Sequence, residues 1–398
     1  MARSKNLAIA VALLGAFYQW WAKEFFFAIL GIGRAVEPIE NFPYSCRRLV
    51  DKQLEGCEDL WLDEDGRVLY AACSGSIART QWNQGMSKLN VSGRRSEGSQ
   101  LIALYIDEFT KDGQFRMHNI APKNYGGATG DGTLDLIGFD AVRKSIASLQ
   151  FWLINQRPPV DEFGKFRNAP KVGDNVTVDV FEYVKGAESM NHVKTVADPS
   201  IYSANGIALI GEEAFVLTND HSGKVGLRKE LDIFIGGGNV VHCIPQGSCQ
   251  PVTHNSLKFA NGLTRGHDGL IYVPLAAQTF ISVYRFEQSG KLNEVDRIEV
   301  GMPIDNLSVD SNGDIWAAGM TKMLEVMAVM GDPLNRLSTS TVFLIHKTED
   351  GVYETTKVLE DGEKKALSGA STVVHDVRTG RLFVGGIATP FISVCEPI

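Results

Sequence analysis

The sequence predicts an all-β fold, a six-bladed β-propeller with an N-terminal hydrophobic helix, and three observations carry that prediction. One phrase recurs along the chain: an Asn or an acid, an alternating strand, a Gly turn, then a second strand. Long helical patterns are nearly absent after residue 33. The copies divide the rest of the chain into six units of roughly 60 residues, long for a four-stranded blade but sensible with inserts. A pair of β-sandwiches would not explain that period. The clearest copy is residues 303–319, PIDNLSVDSNGDIWAAG, where Asn312-Gly313 between alternating apolar residues is a strong hairpin signal.

The N-terminus comes first in order. Arg3 and Lys5 precede the apolar run 7–21, and a second run, 25–32, follows Lys23-Glu24. A basic start and an apolar core of about 15 residues fit a signal peptide. No small-x-small cleavage site follows, and the two runs together are about long enough for a tilted span, with Trp20 and Trp21 where an aromatic belt lies. The expected division is therefore a signal-anchor over 1–33 and a propeller over 34–398. Cleaved or retained, this stretch directs the chain to the secretory pathway, membrane-anchored (ER lumen or extracellular face) or secreted. Residues 37–44 read as a linker. The first unit holds Glu58-Asp59, a strand, an Asp65-Gly66 turn and a second strand, with a further strand at 101–109. The second has strands at 137–141, 149–155 and 176–183, with an insertion around 158–172. The third carries Asn205 and the fourth Asn261, with a His267-Asp268-Gly269 turn. The fifth is the copy quoted above, followed by a helical insert at 320–330. The sixth, 369–396, turns at Arg378-Thr379-Gly380.

Composition narrows the function. The 398 residues are 44% hydrophobic and 22% charged with a net charge of −8, so an electrostatic nucleic-acid binder is not expected. Asn90-Val91-Ser92 and Asn175-Val176-Thr177 are glycosylation acceptors. Of six cysteines, Cys46 and Cys395 sit where a bridge would close a circular fold, and Cys243 and Cys249 where one would clip a loop. Cys57 and Cys73 read as buried thiols, the commoner state for such residues.

In a propeller, residues at one phase of successive inner strands converge on the axis. Here these are Glu58, Asn205, Asn261, Asp305 and Asn306, an all-oxygen set that suits Ca²⁺ rather than Zn²⁺. A lone Asn before a strand commonly makes only an Asx-turn; phase-matched copies in several units are harder to explain that way. Glu58-Asp59 after Cys46, Ala204-Asn205-Gly206, Thr218-Asn219-Asp220-His221, Phe259-Ala260-Asn261-Gly262, residues 304–310 and the terminal Cys395 together resemble the paraoxonase/arylesterase family. The resemblance implies a calcium-dependent lactone and ester hydrolase with a retained hydrophobic N-terminus. It implies a catalytic calcium on Glu58, Asn205, Asn261, Asp305 and Asn306, and a closing disulfide between Cys46 and Cys395. It also implies a structural calcium on Asp59, on an acid where this chain has Gly206, and on a carbonyl near Phe139. The family's histidine dyad falls on Ile137 and Gln156, and a further pocket histidine on Met320, so proton transfer has to come from elsewhere. Asp305 and the pair Asp220-His221 are the candidates. Two other classes compete with the hydrolase. One is a biosynthetic propeller with non-hydrolytic chemistry; the other is a membrane-tethered, non-catalytic propeller that assists folding or assembly of other proteins.

Overall fold

The computed structural model describes residues 2–244 and 248–398. Among them six sheets form the blades. The first runs Cys57–Asp63, Val68–Cys73, Gln100–Phe109 and Phe115–Asn119. The second runs Leu136–Ser145, Ser148–Arg157, Asn175–Val184 and Ser189–Val196, with Ala121–Lys123 added in parallel at its rim. The third is Ala204–Leu209, Phe215–Asn219, Asn239–Cys243 and Cys249–Pro251, and the fourth Thr264–Arg265, Ile271–Pro274, Phe280–Phe286 and Leu292–Glu299. The fifth is Ile304–Val309, Ile315–Gly319, Ser340–Lys347 and Tyr353–Asp361. The sixth joins Ala370–Asp376, Arg381–Gly386 and Ile392–Pro397 to Tyr44–Leu49 from the other end of the chain. Each inner strand touches the next, and the first touches the sixth, so the ring is closed.

Local chemistry explains the hairpins. In the fifth blade Asp310 Oδ1 accepts from the backbone N–H of Asn312 (3.0 Å) and Asp314 (3.1 Å), while Oδ2 accepts from Trp316 Nε1 at 2.9 Å. Gly313 supplies the positive φ of +88° that the turn requires. Between neighbouring blades the alternating strands bury their apolar faces against each other. Tyr70, Phe151 and Tyr183 fill the seam of the first two blades, and Trp152, Phe215 and Leu217 that of the second and third. Burying one such side chain stabilises by roughly 1.5–3 kcal/mol. The seams, rather than any single central core, hold the ring.

Closure is by strand exchange between the chain ends. Tyr44–Leu49 pairs antiparallel with Ile392–Pro397, and Cys46 opposite Cys395 forms a disulfide of sequence separation 349. Cys243 and Cys249 are also bridged. The expectation of thiols at Cys57 and Cys73 is corrected, because they are bridged as well. They face each other in the first hairpin with Cα atoms 3.9 Å apart, a proximity that linear spacing does not display.

The N-terminal stretch is a helix, Ala2–Phe17, that runs on without a break into two π-helical turns, Tyr18–Ala22 and Glu24–Ile29. Among the described residues no helix is long and apolar enough to cross a membrane. The side chains of Arg3, Lys5 and Trp20, part of the anchor expectation, lie outside the described residues. The end of the stretch is fastened to the ring: Arg34 donates to the carbonyls of Thr321 and Gly301, both at 2.9 Å. Gly31, at φ +68°, lies so close to Thr321 that a side chain would collide with its carbonyl.

Candidate functional site

The residues at the head of the inner strands are set by β-bulges. The register slips between Cys57 and Asp59, between Ala204 and Ile207, between Ile304 and Leu307, and between Ala370 and Thr372. Each slip frees a side chain from strand alternation and turns it to the axis, a common use of bulges beside functional sites. Glu58, Asn205 and Asp305 sit in three of them. Ser371 sits in the fourth and donates from its hydroxyl to the Glu58 carbonyl at 2.7 Å. Asn261 is held by Thr218, whose hydroxyl donates to the Asn261 carbonyl (2.9 Å) and accepts from Gly206 N–H (3.0 Å).

Glu58, Asn205, Asn261 and Asp305 together line a cavity of about 300 Å³. Asn306 stands beside them, its amide donating to the Glu58 carbonyl at 3.3 Å. With Asp59 it lines the cavity at the other end of the inner strands. Burial pushes the Glu58 carboxyl up to about 7 against the opposing pull of Arg79. Asp305 is pushed well above the carboxylate range by burial and then by the charges of Glu58 and Asp59. Glu58 Oε2 and Asn205 Oδ1 are buried and take no hydrogen bond. Two carboxylates and two amides with oxygens left open form a hard-oxygen donor set. Among the described residues no cluster of three or more His, Cys, Asp or Glu side chains is placed to hold a metal, so any ion here depends on the amides as well.

One wall of the cavity carries Asp220, His221 and Lys229. His221 Nδ1 is 2.7 Å from Asp220 Oδ1, which also accepts from the Ser203 hydroxyl. Burial works to raise Asp220, but the adjoining His221 holds it below the ordinary value. Lys229 is buried, with its ammonium on the Gln84 carbonyl and on Ser87 Oγ. The rest of the lining is largely apolar, with Phe25 and Ile29 from the N-terminal stretch and Met320, Met323 and Met327. Trp21 and Phe25 also pack on Phe234, ring centroids 6.0 and 5.6 Å apart. Ile137 and Gln156 both line the cavity. Gln156 is a strut, its Oε1 accepting from Gln84 N–H and its Nε2 donating to the Ala204 carbonyl.

The acid that the resemblance places beside Asp59 is missing, because Gly206 stands there. Asp59 already takes two backbone N–H donors, from Leu60 and Phe139, both at 2.9 Å, and Asp140 takes those of Ala141 and Leu209. A Cβ at Gly206 would lie 2.5 Å from the Gly262 Cα, so the close approach of the third and fourth blades leaves no room for a side chain there. Arg79, Lys229 and the N-terminal wall went unseen in the sequence. None of them shares the phase of the repeat, the one signal that singles out hub residues.

The profile of the arylesterase family matches residues 168–393. Serum paraoxonase/arylesterase 1 of Mus musculus is 31% identical over 144 residues, covering 35% of this chain and 40% of that protein. Serum paraoxonase/arylesterase 2 of Homo sapiens is 28% identical over 213 residues, 52% of this chain and 58% of that protein. The chain thus spans about half the length of the relatives it matches. Among solved structures, a gluconolactonase from Xanthomonas campestris aligns with a TM-score of 0.47 at 16% identity, over 93% of this chain and 92% of its own.

Proposed function

The chain belongs to the arylesterase family, and from that premise we propose that it is a calcium-dependent hydrolase of lactones and esters, acting in the cavity above the hub. One observation carries the reading: oxygen donors from four blades and a histidine hydrogen-bonded to an aspartate line the same enclosed space. Glu58, Asn205, Asn261 and Asp305 would hold the ion, with Asn306 as a fifth donor; the open oxygens of Glu58 and Asn205 are what a cation would satisfy. Bound calcium supplies a Lewis acid toward the substrate carbonyl oxygen. Asp220 orients the His221 ring and stabilises its cationic form, leaving Nε2 to take a proton from water as that water attacks the carbonyl carbon. The same proton then passes to the departing alkoxide. Asp305 is the second candidate base. The apolar wall of Phe25, Ile29 and the three methionines receives the acyl or ring carbons and keeps bulk water out.

All six cysteines are bridged, which fits folding in the secretory pathway. The division near residue 33, membrane anchoring by the N-terminal stretch, and glycans at Asn90 and Asn175, both exposed, belong to the same proposal. A second reading, the non-catalytic tethered propeller or a non-hydrolytic enzyme, is favoured by Ile137 and by Gln156 serving as a strut. Purified protein assayed on aryl esters and aliphatic lactones with and without EGTA separates them. Chelator-sensitive turnover that Asn261→Ala lowers by at least about 100-fold is the expected result. Calcium-dependent thermal stability without turnover on any substrate would favour the second reading.

A further inference from the structure

Arg79 is a buried cation beside the hub that the proposed chemistry does not use. It lies on the short helix Ser76–Gln81 and is 2% exposed. Its Nη2 donates to Ser74 Oγ and to the Leu136 carbonyl, both at 2.9 Å, and stands 3.2 Å from Glu58 Oε2. That oxygen nevertheless takes no hydrogen bond. The guanidinium is thus tethered by Ser74 and Leu136, not by the carboxylate it adjoins, and has no reason to withdraw when another cation arrives. When both are ionised to hold a cation, Glu58 and Asp305 bring two negative charges to the hub, and Arg79 offsets one. Calcium affinity follows the charge count and rigidity of its ligands. Like charges a few ångströms apart with water excluded repel strongly.

We propose that Arg79 sets the affinity of the hub for its divalent cation: the fixed guanidinium compensates Glu58 when the ion is absent and weakens calcium binding when it is offered. This rests on the reading of the hub as a calcium site. The test uses the full chain purified in detergent, stripped with EGTA, titrated with calcium chloride by calorimetry and melted with and without the ion. Arg79→Gln is expected to bind calcium at least about 10-fold tighter than wild type, with a larger calcium-induced rise in Tm. Arg79→Lys, which keeps the charge, is expected to stay within about threefold of wild type. A Gln variant that folds only with calcium is the same outcome in stronger form. Arg79→Met replaces it should Gln fold in neither condition. Neutral variants that bind no tighter than wild type overturn the proposal, as does failure of both to fold, which would make Arg79 a structural strut. If no form binds calcium at about 10 mM, well beyond the range of protein sites, the calcium reading falls and the proposal with it.

Discussion

Asp174 is a carboxylate with nowhere to place its charge. Both its oxygens are buried without a hydrogen bond, and Lys224 spends its ammonium on the Asp174 backbone carbonyl instead. Burial pushes its pKa from 3.8 up to about 7, against the pull of Lys224 and Lys229. The folded chain therefore holds this proton longer than the unfolded one. The stability linked to it is fully present below the unfolded value and is lost as pH rises through about 7. Asp174→Asn is expected to stabilise the fold more at pH 8 than at pH 4.5, the gain in unfolding free energy differing by about 2–4 kcal/mol. Calorimetric melts of both proteins at the two pH values check this; an equal gain at both would refute it. Asn205, Asn261 and Asp305 were legible before folding because each opens a strand at one phase of a repeat. Asp174, Lys229 and Arg79 were not, because only tertiary packing removes them from water.

At the scale of elements, the hub depends on slips of register as much as on residue identity. The hairpin signals mark where strands turn, but not where one residue is extra, so the bulges at Glu58, Asn205 and Asp305 were invisible while the strands that carry them were not. The disulfides rank by the loop each closes. In the chain-entropy model a separation of 349 is worth roughly 6 kcal/mol and one of 6 roughly 2 kcal/mol. Replacing Cys46 and Cys395 by Ser is therefore expected to lower Tm distinctly more than replacing Cys243 and Cys249. Equal losses would show that strand pairing, not the covalent bond, secures the last blade. No such ranking was legible for Cys57 and Cys73, whose pairing follows from a register that only the folded hairpin shows.

For the whole molecule, the N-terminal stretch has two roles to reconcile. Its apolar runs read as an anchor, yet Phe25, Ile29 and Leu30 line the cavity and Arg34 fastens the stretch to the fifth blade and the turn before it. Deleting residues 1–30 is expected to reduce hydrolysis of long-chain p-nitrophenyl esters relative to the acetate several-fold, since each buried methylene is worth about 0.8 kcal/mol. An unchanged ratio would leave the stretch as an anchor alone. The strand exchange that shuts the ring also has a cost in time. Tyr44–Leu49 is among the first strands synthesised and Ile392–Pro397 is the last. At ordinary translation speeds its backbone donors and acceptors wait roughly 20–70 s for their partner. Throughout that interval a nascent chain offers an unpaired strand to its neighbours, so its yield in the cell should hinge on chaperones that shield the strand until its partner emerges.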